Sequence, residues 1–98
     1  MAPQSRFQVY GLDETYPWLG EYTFKLVLNP RFFKTGQDLD VIVQDSDRKP
    51  MPRDLKRWGR KLHVTFTITP ETADGVAQAL VMRDGVEVGR CTWWVIKP

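Results

Sequence analysis

Ninety-eight residues, 42% hydrophobic and 27% charged, are enough for one buried core and exclude wholesale disorder. One cysteine excludes an internal disulfide, and together with a single histidine it excludes the usual thiolate–imidazole zinc sites. The net charge of +2 hides an asymmetry: residues 48–61 carry +6 and the other 84 residues carry −4, a distribution that points to an anionic partner.

No apolar run approaches the roughly 20 residues that span a bilayer. Met1-Ala2-Pro3-Gln4-Ser5-Arg6 has no apolar leader run behind it. The expectation is one domain over residues 1–98, cytoplasmic unless a leader has been removed.

Arg6–Tyr10 reads as a short opening strand. In Glu21–Asn29, Tyr22, Phe24, Leu26 and Leu28 share one face while Thr23 and Lys25 take the other, the alternation of a half-buried strand. Asn29-Pro30 ends it. Leu39–Gln44 follows, with Leu39, Val41 and Val43 inward. Pro52–Gly59 reads instead as one or two helical turns near residues 53–58. Pro52 suits a first turn, Asp54 the positive end of the dipole, and Gly59 the stop, while Leu55 and Trp58 lie three apart on one side.

Leu62–Thr69 alternates most cleanly, with Leu62, Val64, Phe66 and Ile68 inward, and Pro70 stops it. Val76–Met82 and Val86–Ile96 flank Asp84-Gly85, a two-residue hairpin signal that requires positive φ at both positions. In the last strand, Val86 and Val88 share one parity and Cys91, Trp93 and Val95 the other. A β-bulge near Gly89-Arg90 reconciles them. Whatever its register, one of Trp93 and Trp94 faces outward.

Gly20-Glu21-Tyr22-Thr23-Phe24-Lys25-Leu26, then Gly36, Leu39–Asp45 and Pro50, are laid out in a way that resembles a bacterial immunoglobulin-like module. Ala73–Val81 is similar to the approach to the penultimate strand in filamin-like domains, where an Asp-Gly turn precedes a strand that pairs with the last. The resemblance covers roughly residues 20–96. It implies an all-β, immunoglobulin-like antiparallel sandwich of six or seven strands, and no particular ligand. Ala77 and Ala79 stand where many such domains carry a strand Cys or a corner Tyr, and no Met or His cluster matches the copper-handling relatives.

Four groups of residues are candidates for function. In the basic segment, Lys49, Arg53, Lys56, Arg57, Arg60 and Lys61 form a candidate anion-binding loop, with Trp58 available to stack on a base. The alternative there is a solvated connection with Leu55 and Trp58 turned into the core. Trp18, Trp93 and Trp94 could form an aromatic platform for a sugar or a peptide, or could be core packing plus one outward edge Trp. His63 and Cys91 would need to meet within about 3 Å to act as base and nucleophile, and parity places them on opposite faces of their sheets. Asp45 and Asp47 flank a turn. They could hold a weak calcium ion, but Arg48 and Lys49 nearby point to local charge pairing.

No phosphate-cradling Gly loop or Ser nucleophile elbow is present. The expectation is a non-enzymatic binding or assembly module with no catalytic residue, metal or cofactor. It would contact nucleic acid or an acidic protein surface through the basic segment. The alternatives are a homo-oligomer built through an edge strand and an outward Trp, or a carbohydrate-binding module.

Overall fold

The alternating apolar positions close into two facing sheets in a computed structural model that describes residues 6–34 and 36–98. Met1–Ser5, part of the leader reading, and Thr35 lie outside the described residues. The strands are β1 (Phe7–Tyr10), β2 (Thr15–Tyr16), β3 (Gly20–Leu28), β4 (Leu39–Gln44), β5 (Arg53–Trp58), β6 (Lys61–Ile68), β7 (Gly75–Arg83) and β8 (Val86–Val95). One sheet has the order β1-β3-β6-β5 and the other β2-β8-β7-β4. Pairing is antiparallel except between β2 and β8, which run parallel.

Inward residues of both sheets meet in one core. Trp93 of β8 stacks on Phe66 of β6 with ring centroids 4.7 Å apart, and Phe24 of β3 lies 5.8 Å from the same indole. Burying an aromatic or branched side chain of this kind stabilises by about 1.5–3 kcal/mol, so these rings hold the sheets face to face. The expected β-bulge is present. Val81 pairs with Gly89 and Met82 with Glu87, which leaves Val88 as the extra residue, immediately before Gly89. Val88, Trp93 and Val95 are all buried as a result. Gly89 also leaves room for a neighbour: a Cβ there would meet the Phe7 ring at 2.5 Å.

The helix expected near residues 53–58 is absent and β5 stands in its place. Isolated helices shorter than about 12 residues are marginal in water. Six residues between Pro52 and Gly59 gain more from a full ladder with β6, Arg53 opposite Phe66 through Trp58 opposite Lys61. Pro52 precedes the first strand position, where its missing N–H costs no ladder bond. Gly59 takes φ +60 and Arg60 does not have positive φ, the signature of a two-residue type II′ hairpin. The other hairpin turns through Asp84 at φ 52 and Gly85 at φ 83, as a type I′ turn requires. The count exceeds six or seven because β2 is too short to show alternation and the charges of β5 disguise it.

Candidate anion-binding face

Strand geometry divides the basic segment by parity. Arg53, Leu55 and Arg57 point to the inner side of β5, and Asp54, Lys56 and Trp58 point out. At the edge of the sandwich the two inner arginines reach across to the other sheet. Arg53 Nη2 donates to Asp40 Oδ1 at 2.8 Å, while Arg57 donates to the Gln37 carbonyl at 2.6 Å and the Gly59 carbonyl at 2.9 Å. Both side chains therefore close the gap between β5 and the β4 side.

Lys49 lies at the opposite end of β5 from the hairpin, about 20 Å away at ~3.3 Å per residue. It belongs to a turn built on Asp45. Asp45 Oδ1 accepts the N–H groups of Asp47 at 2.9 Å and Lys49 at 3.1 Å, and Oδ2 accepts that of Ala73 at 3.1 Å. Burial by itself would raise the Asp45 pKa. The three main-chain N–H groups, with a smaller contribution from the Lys49 charge, outweigh it and hold the carboxyl below its ordinary value. The carboxylate is thus committed to the main chain.

Lys56, Arg60, Lys61 and Trp58 remain together at the β5–β6 turn. Among the described residues no acidic side chain lies within ion-pair distance of the three cations. Trp58 is 57% exposed, and its ring meets that of His63 edge-on at 4.6 Å. Register brings in residues distant in sequence. Lys25 of β3 lies opposite His63 of β6, which lies opposite Lys56 of β5, and Tyr10 of β1 lies opposite Lys25. One row across the outer face thus reads Tyr10–Lys25–His63–Lys56, and the next reads Gln8–Val27–Lys61–Trp58. Alternation alone shows that Lys25 and His63 face outward. Their meeting depends on β3 lying beside β6, which no local signal reveals.

The tryptophan pair resolves cleanly. Trp93 is a core residue, 2% exposed, and so is neither a stacking surface nor an interface residue, because the bulge sets its parity inward. Trp94 is 47% exposed on the outer face of the other sheet, opposite Val76 and beside β2. Trp18 is exposed in the β2–β3 connection. Cys91 faces inward on β8, and burial pushes its thiol up to about 11; His63 lies on the outside of the other sheet. They cannot act as a pair.

The free edge of β4 is capped. The Val41 N–H donates to Asp40 Oδ1, the Met51 N–H donates to the Val43 carbonyl, and the Asp45 N–H donates to the Lys49 carbonyl. Pairing with a further strand would have to displace all three. No helix among the described residues is long and apolar enough to cross a membrane.

No protein-family model matches the chain, and no curated protein matches it. Among solved structures, the crystal structure of the Lin-41 filamin domain superposes with a TM-score of 0.66. That match covers 92% of this chain and 91% of that one at 9% identity. The likeness is one of fold: this chain has an immunoglobulin-like β-sandwich fold, similar to that of the filamin domain.

Proposed function

We propose that this domain is a non-enzymatic interaction module that binds an anionic partner through the β5–β6 hairpin. One observation carries the reading: Lys56, Arg60 and Lys61 surround an exposed Trp58 with no acidic counterpart in reach among the described residues. Maintaining that concentration of charge costs self-repulsion, which an anionic ligand relieves. Arg53, Arg57 and Lys49 support the site only by holding β5 and its preceding turn. Cys91 as a half-buried lone thiol suits a reducing compartment, and we place the module in the cytoplasm.

The test is titration with inorganic polyphosphate at about 50 mM salt, where counterion release is large. Lys56→Gln, Arg60→Gln and Lys61→Gln together should weaken binding at least tenfold and leave the thermal midpoint nearly unchanged. Undiminished binding by the triple variant sinks the reading.

A second reading rests on Trp94, Val76 and Ile96, which leave an apolar strip beside β2. Assembly through that strip would give a dimer whose sedimentation is insensitive to salt. A monomer at high concentration ends it.

A further inference from the structure

We propose that the outer face of the β1-β3-β6-β5 sheet binds single-stranded nucleic acid laid across its strands. Trp58 and Tyr10 serve as base-stacking surfaces, and Lys25, Lys56 and Lys61 hold phosphates. The proposal rests on the anion-binding reading above and names the partner class.

Charge and rings share one end of this face. The rows Tyr10–Lys25–His63–Lys56 and Gln8–Val27–Lys61–Trp58 hold all of its outward lysines and both of its exposed rings. The following rows hold Thr23–Thr65–Asp54 and Glu21–Thr67. A polyanion running along the strands would leave the lysines and meet Asp54 and Glu21. One running across them keeps the lysines of β3, β6 and β5 beneath it, roughly 10 Å at ~4.8 Å per strand, and reaches Tyr10 on β1 one strand further on.

The rings decide between kinds of polyanion. Tyr10 is 49% exposed, with its hydroxyl donating to Gln8 Oε1 and Lys25 Nζ 5.6 Å from its ring centroid. Trp58, 57% exposed, meets the His63 ring edge-on. An acidic peptide gains little from two such rings, and a duplex keeps the faces of its bases stacked inside. An unstacked strand offers both phosphates and free π-faces.

A recess of about 260 Å³ lined by Phe7, Gln8, Val27 and Asn29 opens beside the second row. Lys61 stands opposite Val27, and the Leu28 N–H donates to the Arg60 carbonyl, so the hairpin borders this recess. It lies on the path of a strand that crosses from Trp58 towards β1.

The experiment is fluorescence anisotropy with labelled oligo(dT) and oligo(U) of about twelve nucleotides, within the usual range of single-strand site sizes. Inorganic polyphosphate and polyglutamate serve as competitors. Trp58→Ala and Tyr10→Ala should each weaken oligonucleotide binding about fivefold or more and leave polyphosphate binding unchanged. Lys25→Gln with Lys56→Gln should reduce the log–log salt slope by about 1.4, at ~0.7 per phosphate contact in single strands. Comparing the two oligonucleotides distinguishes DNA from RNA.

Oligonucleotide binding that ignores both ring substitutions and Lys25→Gln overturns this proposal while leaving the hairpin as an anion site. Polyglutamate competing as well as polyphosphate and oligonucleotide does the same and assigns an acidic protein. No binding of any polyanion at low salt removes both readings. Circular dichroism and thermal midpoints of each variant identify any loss of binding that comes from unfolding.

Discussion

At the end of β4 the main chain around Lys49 is wound about the Asp45 carboxylate. At the far end of β5, Lys56, Arg60 and Lys61 stand around Trp58 with no acidic group in ion-pair reach among the described residues. Both ends come from one fourteen-residue run that looks uniform in sequence. The difference lies in what each end must satisfy. A loop returning between sheets leaves main-chain N–H groups inside the protein, and a buried carboxylate can serve several of them. A two-residue hairpin satisfies its own main chain, so its side chains are not drawn into that task.

The largest effect is expected at the structural end. Asp45 accepts three N–H bonds, and an amide replacing it must turn an NH₂ group towards at least one of those donors. Asp45→Asn should cost about 2–3 kcal/mol in urea unfolding, in the range for hydrogen bonds to a charged group. A cost below about 0.5 kcal/mol would erase the distinction between the two ends.

Acid tests the same group. The folded pKa of Asp45 is depressed, so its contribution is fully present above the unfolded carboxyl value near ~3.9 and is lost as pH falls through the folded value. The stability gap between the native chain and Asp45→Asn should therefore narrow as pH drops from about 6 towards 2. A gap that holds constant over that range would mean that the carboxylate charge is not what binds the turn.

Most of the sandwich was legible from alternation alone. Leu39–Gln44 matches β4, and the need to bury Val88 with Trp93 foretold the bulge. The failure at β5 is physical. Arg53 and Arg57 occupy inward positions where alternation looks for apolar residues, because an edge strand lets long cationic side chains reach across to Asp40 and Gln37. Charge concentration marked the whole segment without separating Arg53 and Arg57, which reach across to the other sheet, from Lys56, Arg60 and Lys61, since parity and ion pairing appear only once strand and register are known. Tyr10, Lys25 and His63 were invisible as a group for the same reason. The single N–H of Trp93, which has no hydrogen-bond partner inside the core, left no trace in the sequence at all.

A middle-sized effect is expected at Gly59. Its φ of +60 sets the hairpin that places Lys61 opposite Trp58. Gly59→Ala should cost about 1–2 kcal/mol, the range for a non-glycine residue forced into a sparsely populated backbone region. It should also blunt polyanion binding, because Arg60 and Lys61 depend on that turn. An unchanged urea midpoint would show that the turn tolerates a side chain and that the geometry of the contact end is not fixed by glycine.

The smallest effects separate the two ends most directly. Lys49→Gln and Lys61→Gln remove the same charge from the same basic run, and each should alter stability by less than about 0.5 kcal/mol. Lys49 holds the Asp45 turn through its main-chain N–H, which the substitution keeps, so Lys49→Gln should also leave polyanion affinity unchanged. Lys61→Gln removes a cation beside Trp58 and should weaken binding about fivefold at ~50 mM salt, less at ~200 mM, as expected for one phosphate contact. Equal losses from both variants would mean that the ligand responds to total charge rather than to a face. The split into a structural end and a contact end would then hold for folding alone.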